Sequence, residues 1–184
     1  MFEEQGVPYT PFHGGFGLVA NGLIPKPTFW TFKFFKELQG KCVFKNEEMV
    51  VVQKQDGGYC GVAWNLNYEN SDETLQIKCE FPTENKEYSL IKKTVDESCC
   101  NPLKVWHDLG EPSNPVETQL ELLRDSAKPL ISTDRLKSIN GSLSISIELK
   151  RNAVLYFELC EAEILSDRGY DYHKVMSLLK INDE

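Results

Sequence analysis

The hydrophobic positions of this chain change rhythm along its length. From Met1 to about Ile24 neither a two-residue nor a helical period is visible, and glycines interleave with aromatics in Phe12-His13-Gly14-Gly15-Phe16-Gly17. Such a stretch reads as a loop with a task. Gly14, Gly15 and Gly17 permit positive φ or close approach of the backbone, while Phe12 and Phe16 have no core of their own. From Pro25 to Leu38 the spacing predicts a helix, with Pro25 and Pro27 before or at its first turn and with Phe29, Phe32, Phe35 and Leu38 recurring at three-residue intervals. Gly40 ends it. Trp30 and Phe34 widen the apolar surface beyond one stripe, so the helix is expected to be covered on more than one side.

After Gly40 the pattern becomes that of strands, predicted over residues 48–55, 59–68, 74–81 and 88–95 and separated by Asp56-Gly57-Gly58 and other polar breaks. Leu75, Ile77, Cys79 and Phe81 alternate with Gln76, Lys78 and Glu80, the mark of a half-buried strand. A helix follows, with Asn114 as N-cap, Pro115 at its first position and Val116, Leu120, Leu123 and Ala127 as its buried stripe, stopped by Pro129. Strands near 130–137, 142–150 and 153–161 are joined at Asn140-Gly141 and Arg151-Asn152 and read as a meander. In the tail, Tyr172, Val175, Met176 and Leu179 fall at helical spacing. The fold class is therefore mainly β: an antiparallel β-sandwich with a loop and helix ahead of it, one inserted helix and a short C-terminal helix.

Composition removes several functions. A formal charge of -8 with a pI near 5.0 and no clustered Lys and Arg excludes a nucleic-acid partner; Lys92-Lys93 is an isolated pair among acids. No apolar run is long enough to cross a membrane as a helix, and the acidic N-terminus does not resemble an export signal. Cys42, Cys60, Cys79, Cys99, Cys100 and Cys160 contain no C-x-x-C pair, so neither zinc nor any other cofactor is expected. They are expected to be reduced thiols of a cytoplasmic protein.

Candidate chemistry concentrates at the N-terminus, where Glu3 and Glu4 precede the aromatic, glycine-rich loop that holds His13. Aromatic faces and carboxylates are the groups that bind sugars, although an acidic terminal pair is also commonly frayed and solvated. His107 and His173 have no acid-base partner at recognisable spacing, and Trp64 and Trp106, in strand-like contexts, are assigned to packing. No phosphate loop, nucleophile elbow or metal-ligand spacing is present.

Phe2-Glu3-Glu4-Gln5-Gly6-Val7-Pro8 followed by Thr10-Pro11-Phe12-His13-Gly14-Gly15-Phe16-Gly17-Leu18 resembles the final barrel strand and loop of the family-39 glycoside hydrolases, the β-xylosidases. Ile24-Pro25-Lys26-Pro27-Thr28-Phe29, Val105-Trp106-His107-Asp108-Leu109-Gly110 with Asn114-Pro115, and Leu122-Leu123-Arg124-Asp125-Ser126-Ala127-Lys128-Pro129 extend the resemblance over most of the chain. It implies a (β/α)8 barrel with an accessory sandwich and hydrolysis of terminal β-linked xylose with retention through two glutamates on earlier barrel strands. Residues 1–40 would then be the last strand, loop and helix of that barrel, 41–165 the sandwich, and 166–184 a helical tail. The chain would hold no catalytic residue and be inactive alone. By carry-over, Glu3 and Glu4, with Phe12 and His13 shaping the same loop, would bind xylose or a xylo-oligosaccharide in the intact enzyme. The implied partners are the missing N-terminal barrel and further copies of the chain. A carbohydrate-binding module and a purely structural or oligomer-forming domain are the alternatives.

Overall fold

A strand that buries both faces needs apolar residues at consecutive positions, and Met49-Val50-Val51-Val52 and Leu155-Tyr156-Phe157 are the places where this chain supplies them. Both sit inside the larger of two facing sheets in the computed structural model, which describes residues 9–67 and 73–162. The predicted tail helix, Glu3, Glu4 and the expected barrel strand lie outside the described residues. In chain order the elements are a short hairpin, β1 (Val19–Ala20) and β2 (Ile24–Pro25); helix α1 (Pro27–Glu37); strands β3 (Lys41–Lys45), β4 (Met49–Gln53), β5 (Tyr59–Trp64), β6 (Leu75–Pro82) and β7 (Glu87–Val95); helices α2 (Pro102–Asp108) and α3 (Glu117–Ser126); and strands β8 (Leu130–Lys137), β9 (Ser142–Leu149) and β10 (Val154–Glu161).

The large sheet runs β3-β4-β5-β10-β7-β8 and the small one β6-β9, with every pairing antiparallel. Between the sheets lies the main core, with Phe81, Phe157, Ile145, Ile147 and Leu149 among its buried residues. The opposite face of the large sheet, carrying Val52, Cys60, Val62 and Tyr156, is covered by α1 through Phe34, Trp30 and Leu38. A third cluster joins the hairpin to α2 and α3 through Ala20, Ile24, Trp106, Leu123 and Ala127. These layers make the sandwich expected from strand patterning.

Two glycines are fixed by close approach. Gly61 in β5 lies against the Phe157 ring, where a Cβ would stand 2.5 Å from Cε1, and Gly40 (φ 140°) would put a Cβ 2.2 Å from the Gln53 carbonyl oxygen.

The predicted meander is corrected. β8 lies at the border beside β7, β9 pairs with β6 in the other sheet, and β10 inserts between β5 and β7. Alternation specifies which face a strand buries, not which strand it sits beside. The tight turns are present all the same, with positive φ at Asn140, Gly141 and Asn152. The Asp56-Gly57-Gly58 break is likewise a hairpin: Asp56 Oδ1 accepts from Gly58 N at 2.9 Å and Gly58 O from Lys54 N at 2.8 Å.

Three further expectations shift. Trp106 sits on α2 and not in a strand, so two helices, not one, are inserted between the strand groups. Asn101 caps α2 by accepting from Lys104 N at 3.1 Å, with Pro102 at the first position. α3 begins two residues after Pro115, with Val116 at the cap; Gln119 Oε1 accepts from Val116 N at 3.1 Å, and Val116 itself is exposed. Finally, β3 escaped notice because all five of its residues are exposed and alternation is lost. It is a border strand, and its register with β4 shifts between Cys42 and Phe44.

Candidate functional site

Backbone geometry that glycine alone adopts easily sets the shape of the N-terminal loop. Gly14 and Gly17 have φ of 78° and 96°, and between them Gly15 N donates to His13 Nδ1 at 3.1 Å while Gly15 O accepts from Lys26 Nζ at 2.8 Å. Because Nδ1 of His13 accepts here, the ring proton is placed on Nε2. Asn21 Nδ2 closes the loop onto Thr10 O at 3.0 Å, and Leu18 O accepts from Lys26 N at 2.9 Å. Arg124 of α3 donates through Nε to Gly22 O in the hairpin turn at 2.8 Å.

This loop treats its aromatics in two ways. Phe12 turns inward, its ring 5.7 Å from that of Trp106, whose Nε1 donates to Pro112 O at 3.0 Å. Phe16, between the two positive-φ glycines, is 94% exposed, and Tyr9 is also exposed. The sequence therefore located the loop but not its anchor. Trp106 belongs to a helix in place of the strand-like context expected from its neighbours, and the Asn101-Pro102 pair that opens α2 is the sequence signal for it. Of the nominated residues, Phe12 and His13 come together in this loop; Glu3 and Glu4 lie outside the described residues.

On the α1 side of the large sheet the described residues form a half-buried charged cluster. Lys54 Nζ meets Glu158 Oε1 at 2.7 Å and Asp56 Oδ2 at 3.1 Å, and Tyr156 Oη donates to Glu158 Oε2 at 3.0 Å. Lys93 lies over the Tyr156 ring, 5.0 Å from its centroid, and reaches Glu37 of α1 at 3.4 Å. Burial pushes the Glu158 carboxyl upward, but the hydrogen bonds from Lys54 and Tyr156 outweigh it and hold the group below the usual carboxylate range. Asp56 is held low by the Gly58 N–H and then by Lys54. Asp96 resists burial through hydrogen bonds from Ser98 and Cys99 and is also low.

Those directions decide what the cluster can do. A glycosidase general acid must carry a proton near neutral pH, so its pKa is raised, whereas Asp56, Asp96 and Glu158 are all stabilised as anions. Burial pushes the thiols of Cys60, Cys79, Cys99 and Cys160 up and that of Cys100 up to about 12, which disfavours the thiolate at these five positions. Among the described residues no group of three His, Cys, Asp or Glu side chains is placed to hold a metal ion. No described helix is long and apolar enough to cross a membrane.

Residues 1–144 match the family described as glycosyl hydrolases family 39. The chain belongs to that family. It is 36% identical over 160 residues to a β-xylosidase of Geobacillus stearothermophilus, covering 86% of this chain and 32% of that protein. A β-xylosidase of Caldicellulosiruptor saccharolyticus is 30% identical over 131 residues, 67% of this chain and 27% of the relative. The solved structure of a family-39 enzyme from Xanthomonas axonopodis pv. citri shares the fold with a TM-score of 0.74 at 23% identity, over 88% of this chain and 35% of that one. This family-39 chain thus spans about a third of the length of the curated relatives it matches.

Proposed function

We propose that the chain is the C-terminal accessory region of a retaining β-xylosidase, contributing the last barrel unit and the sandwich to an enzyme that hydrolyses terminal β-linked xylose. In this reading residues 1–40 belong to the barrel, 41–165 to the sandwich and 166–184 to a helical tail. The two catalytic glutamates belong to polypeptide outside these residues. Glu3 and Glu4 bind sugar hydroxyls in the assembled site, Phe12 and His13 fix the loop beside them, and further copies of the chain complete the assembly.

The observation that carries the reading is 36% identity to a β-xylosidase over 86% of the chain. Its chemical support is the anionic, ion-paired state of Asp56 and Glu158, which suits anchoring and not proton donation. A carbohydrate-binding module would present aromatics on a sheet face; among the described residues the exposed aromatics lie in the N-terminal loop and α1, with Phe44 of the border strand β3 as the one exception. The test is an aryl β-xyloside offered to the chain by itself, where no turnover is expected. Hydrolysis that survives purification to homogeneity would overturn the reading.

A further inference from the structure

Two Asn-Gly pairs occur in the chain, Asn21-Gly22 and Asn140-Gly141, and each sits in a tight turn. Asparagine is thermolabile, most of all before glycine, which has no side chain to keep its backbone nitrogen away from the Asn Cγ. The structure treats the two pairs differently. Asn21 is half-buried and its Nδ2 donates to Thr10 O at 3.0 Å, so the group that would have to leave is tied down. Asn140 is exposed, and among the described residues no hydrogen bond engages its side-chain amide. What is tied there is the attacking atom: Gly141 N donates to Asn85 Oδ1 at 2.8 Å.

Asn140 (φ 53°) and Gly141 (φ 77°) are the central residues of the turn between β8 and β9, closed by Ile139 N to Ser142 O at 2.9 Å and Ser142 N to Ile139 O at 3.1 Å. The chain passes there from the large sheet to the small one. It meets the connection of residues 83–86, which crosses in the opposite sense from β6 to β7. Thr83 N donates to Gly141 O at 2.9 Å, Ser138 N donates to Lys86 O at 3.0 Å, and Thr83 Oγ1 lies 2.8 Å from Oγ of the buried Ser138. The two turns together form a joint between the sheets.

We infer that Asn140 is a site of spontaneous deamidation, paced by the Asn85 side chain. Gly141 N, after losing its proton to hydroxide or a buffer base, bonds to Asn140 Cγ; the Cγ–Nδ2 bond breaks and ammonia departs, leaving a succinimide. Water then adds to one of the imide carbonyls and opens the ring to aspartate or isoaspartate, with no change of oxidation state. While Asn85 accepts the hydrogen bond from Gly141, that nitrogen neither ionises readily nor turns toward Cγ. In the isoaspartate product the backbone runs through the former side chain and gains a methylene, lengthening a turn fixed by the Ile139–Ser142 and Thr83–Gly141 bonds. This chemistry goes beyond the activity proposed above and does not depend on it.

The test is peptide mapping by mass spectrometry of the complete chain kept folded in warm, mildly alkaline buffer, since trypsin puts Asn21 and Asn140 in separate peptides. In the folded wild type Asn140 should gain about 1 Da ahead of Asn21, and in urea Asn140 should convert about tenfold faster than when folded. Asn85→Ala is expected to speed the folded conversion of Asn140 by about tenfold, the worth of one hydrogen bond, while Asn85→Asp, which keeps an acceptor for Gly141 N, stays within about twofold of wild type. Conversion of Asn21 before Asn140 in the folded chain, a folded rate at Asn140 equal to that in urea, or equal acceleration by the two variants would each overturn the inference. Should circular dichroism show Asn85→Ala to be unfolded, the order of the two asparagines and the ratio of folded to urea rates, both read in the wild type, decide the matter.

Discussion

The sandwich and the N-terminal segment of this family-39 chain contain the same kinds of residue and dispose of them differently. In the sandwich, aromatics are consumed by packing: Tyr59, Phe81 and Phe157 form a chain of ring contacts at 4.9 and 6.1 Å and are almost wholly buried. In the segment before Gly40, Tyr9, Phe16 and Phe32 remain in water although the backbone that carries them is held by side-chain hydrogen bonds and by α1. The difference lies in whether a packed layer is present to receive the rings, not in how firmly the backbone is held.

Substitutions can sharpen that contrast. The largest effect should come from Phe157→Ala, where the lost ring leaves a cavity in the main core, at about 3–5 kcal/mol in urea unfolding. Gly61→Ala should cost about 1–3 kcal/mol by forcing Phe157 aside. Glu158→Gln should cost about 1 kcal/mol at neutral pH, because the pair with Lys54 is only partly shielded from solvent. Its folded pKa is depressed, so the contribution of Glu158 is present above the ordinary carboxylate pKa and fades as pH falls through the folded value; the difference between wild type and variant should close in acid. Phe12→Ala, which loses one ring contact with Trp106, should cost about 0.5–1.5 kcal/mol and loosen the loop. Smallest of all should be Phe32→Ser, within about 0.5 kcal/mol in the chain alone. A large loss there would erase the distinction between the two regions.

The strands were legible because period-two alternation is a local signal: Leu75 to Phe81 and Leu143 to Leu149 both turn alternate residues into the main core, as their patterns indicate. Pairing order was not, because nothing in β10 announces that it enters between β5 and β7. α1 gives the sharper lesson. Its predicted series at 29, 32, 35 and 38 divides, with Phe32 left exposed, Phe35 beside Trp64 and Leu38 docked, and the stripe that packs on the sheet is the four-residue series at 30, 34 and 38. Both apolar stripes are written into the sequence, and nothing local says which one the sandwich will use. The loop was legible from its glycines, whereas its anchor, Trp106, depends on a helix whose seven residues are too few to show a period.

Strand β3, at one of the two borders of the large sheet, has a consequence of another kind. An open sheet border invites unrelated strands to add to it and grow into fibrils, but this one has Lys41 and Lys45 at its ends and is kinked by the register shift between Cys42 and Phe44. An incoming strand would have to strip water from two ammonium groups and match an uneven ladder. At this border the sheet resists the runaway stacking that a smooth, uncharged strand would seed.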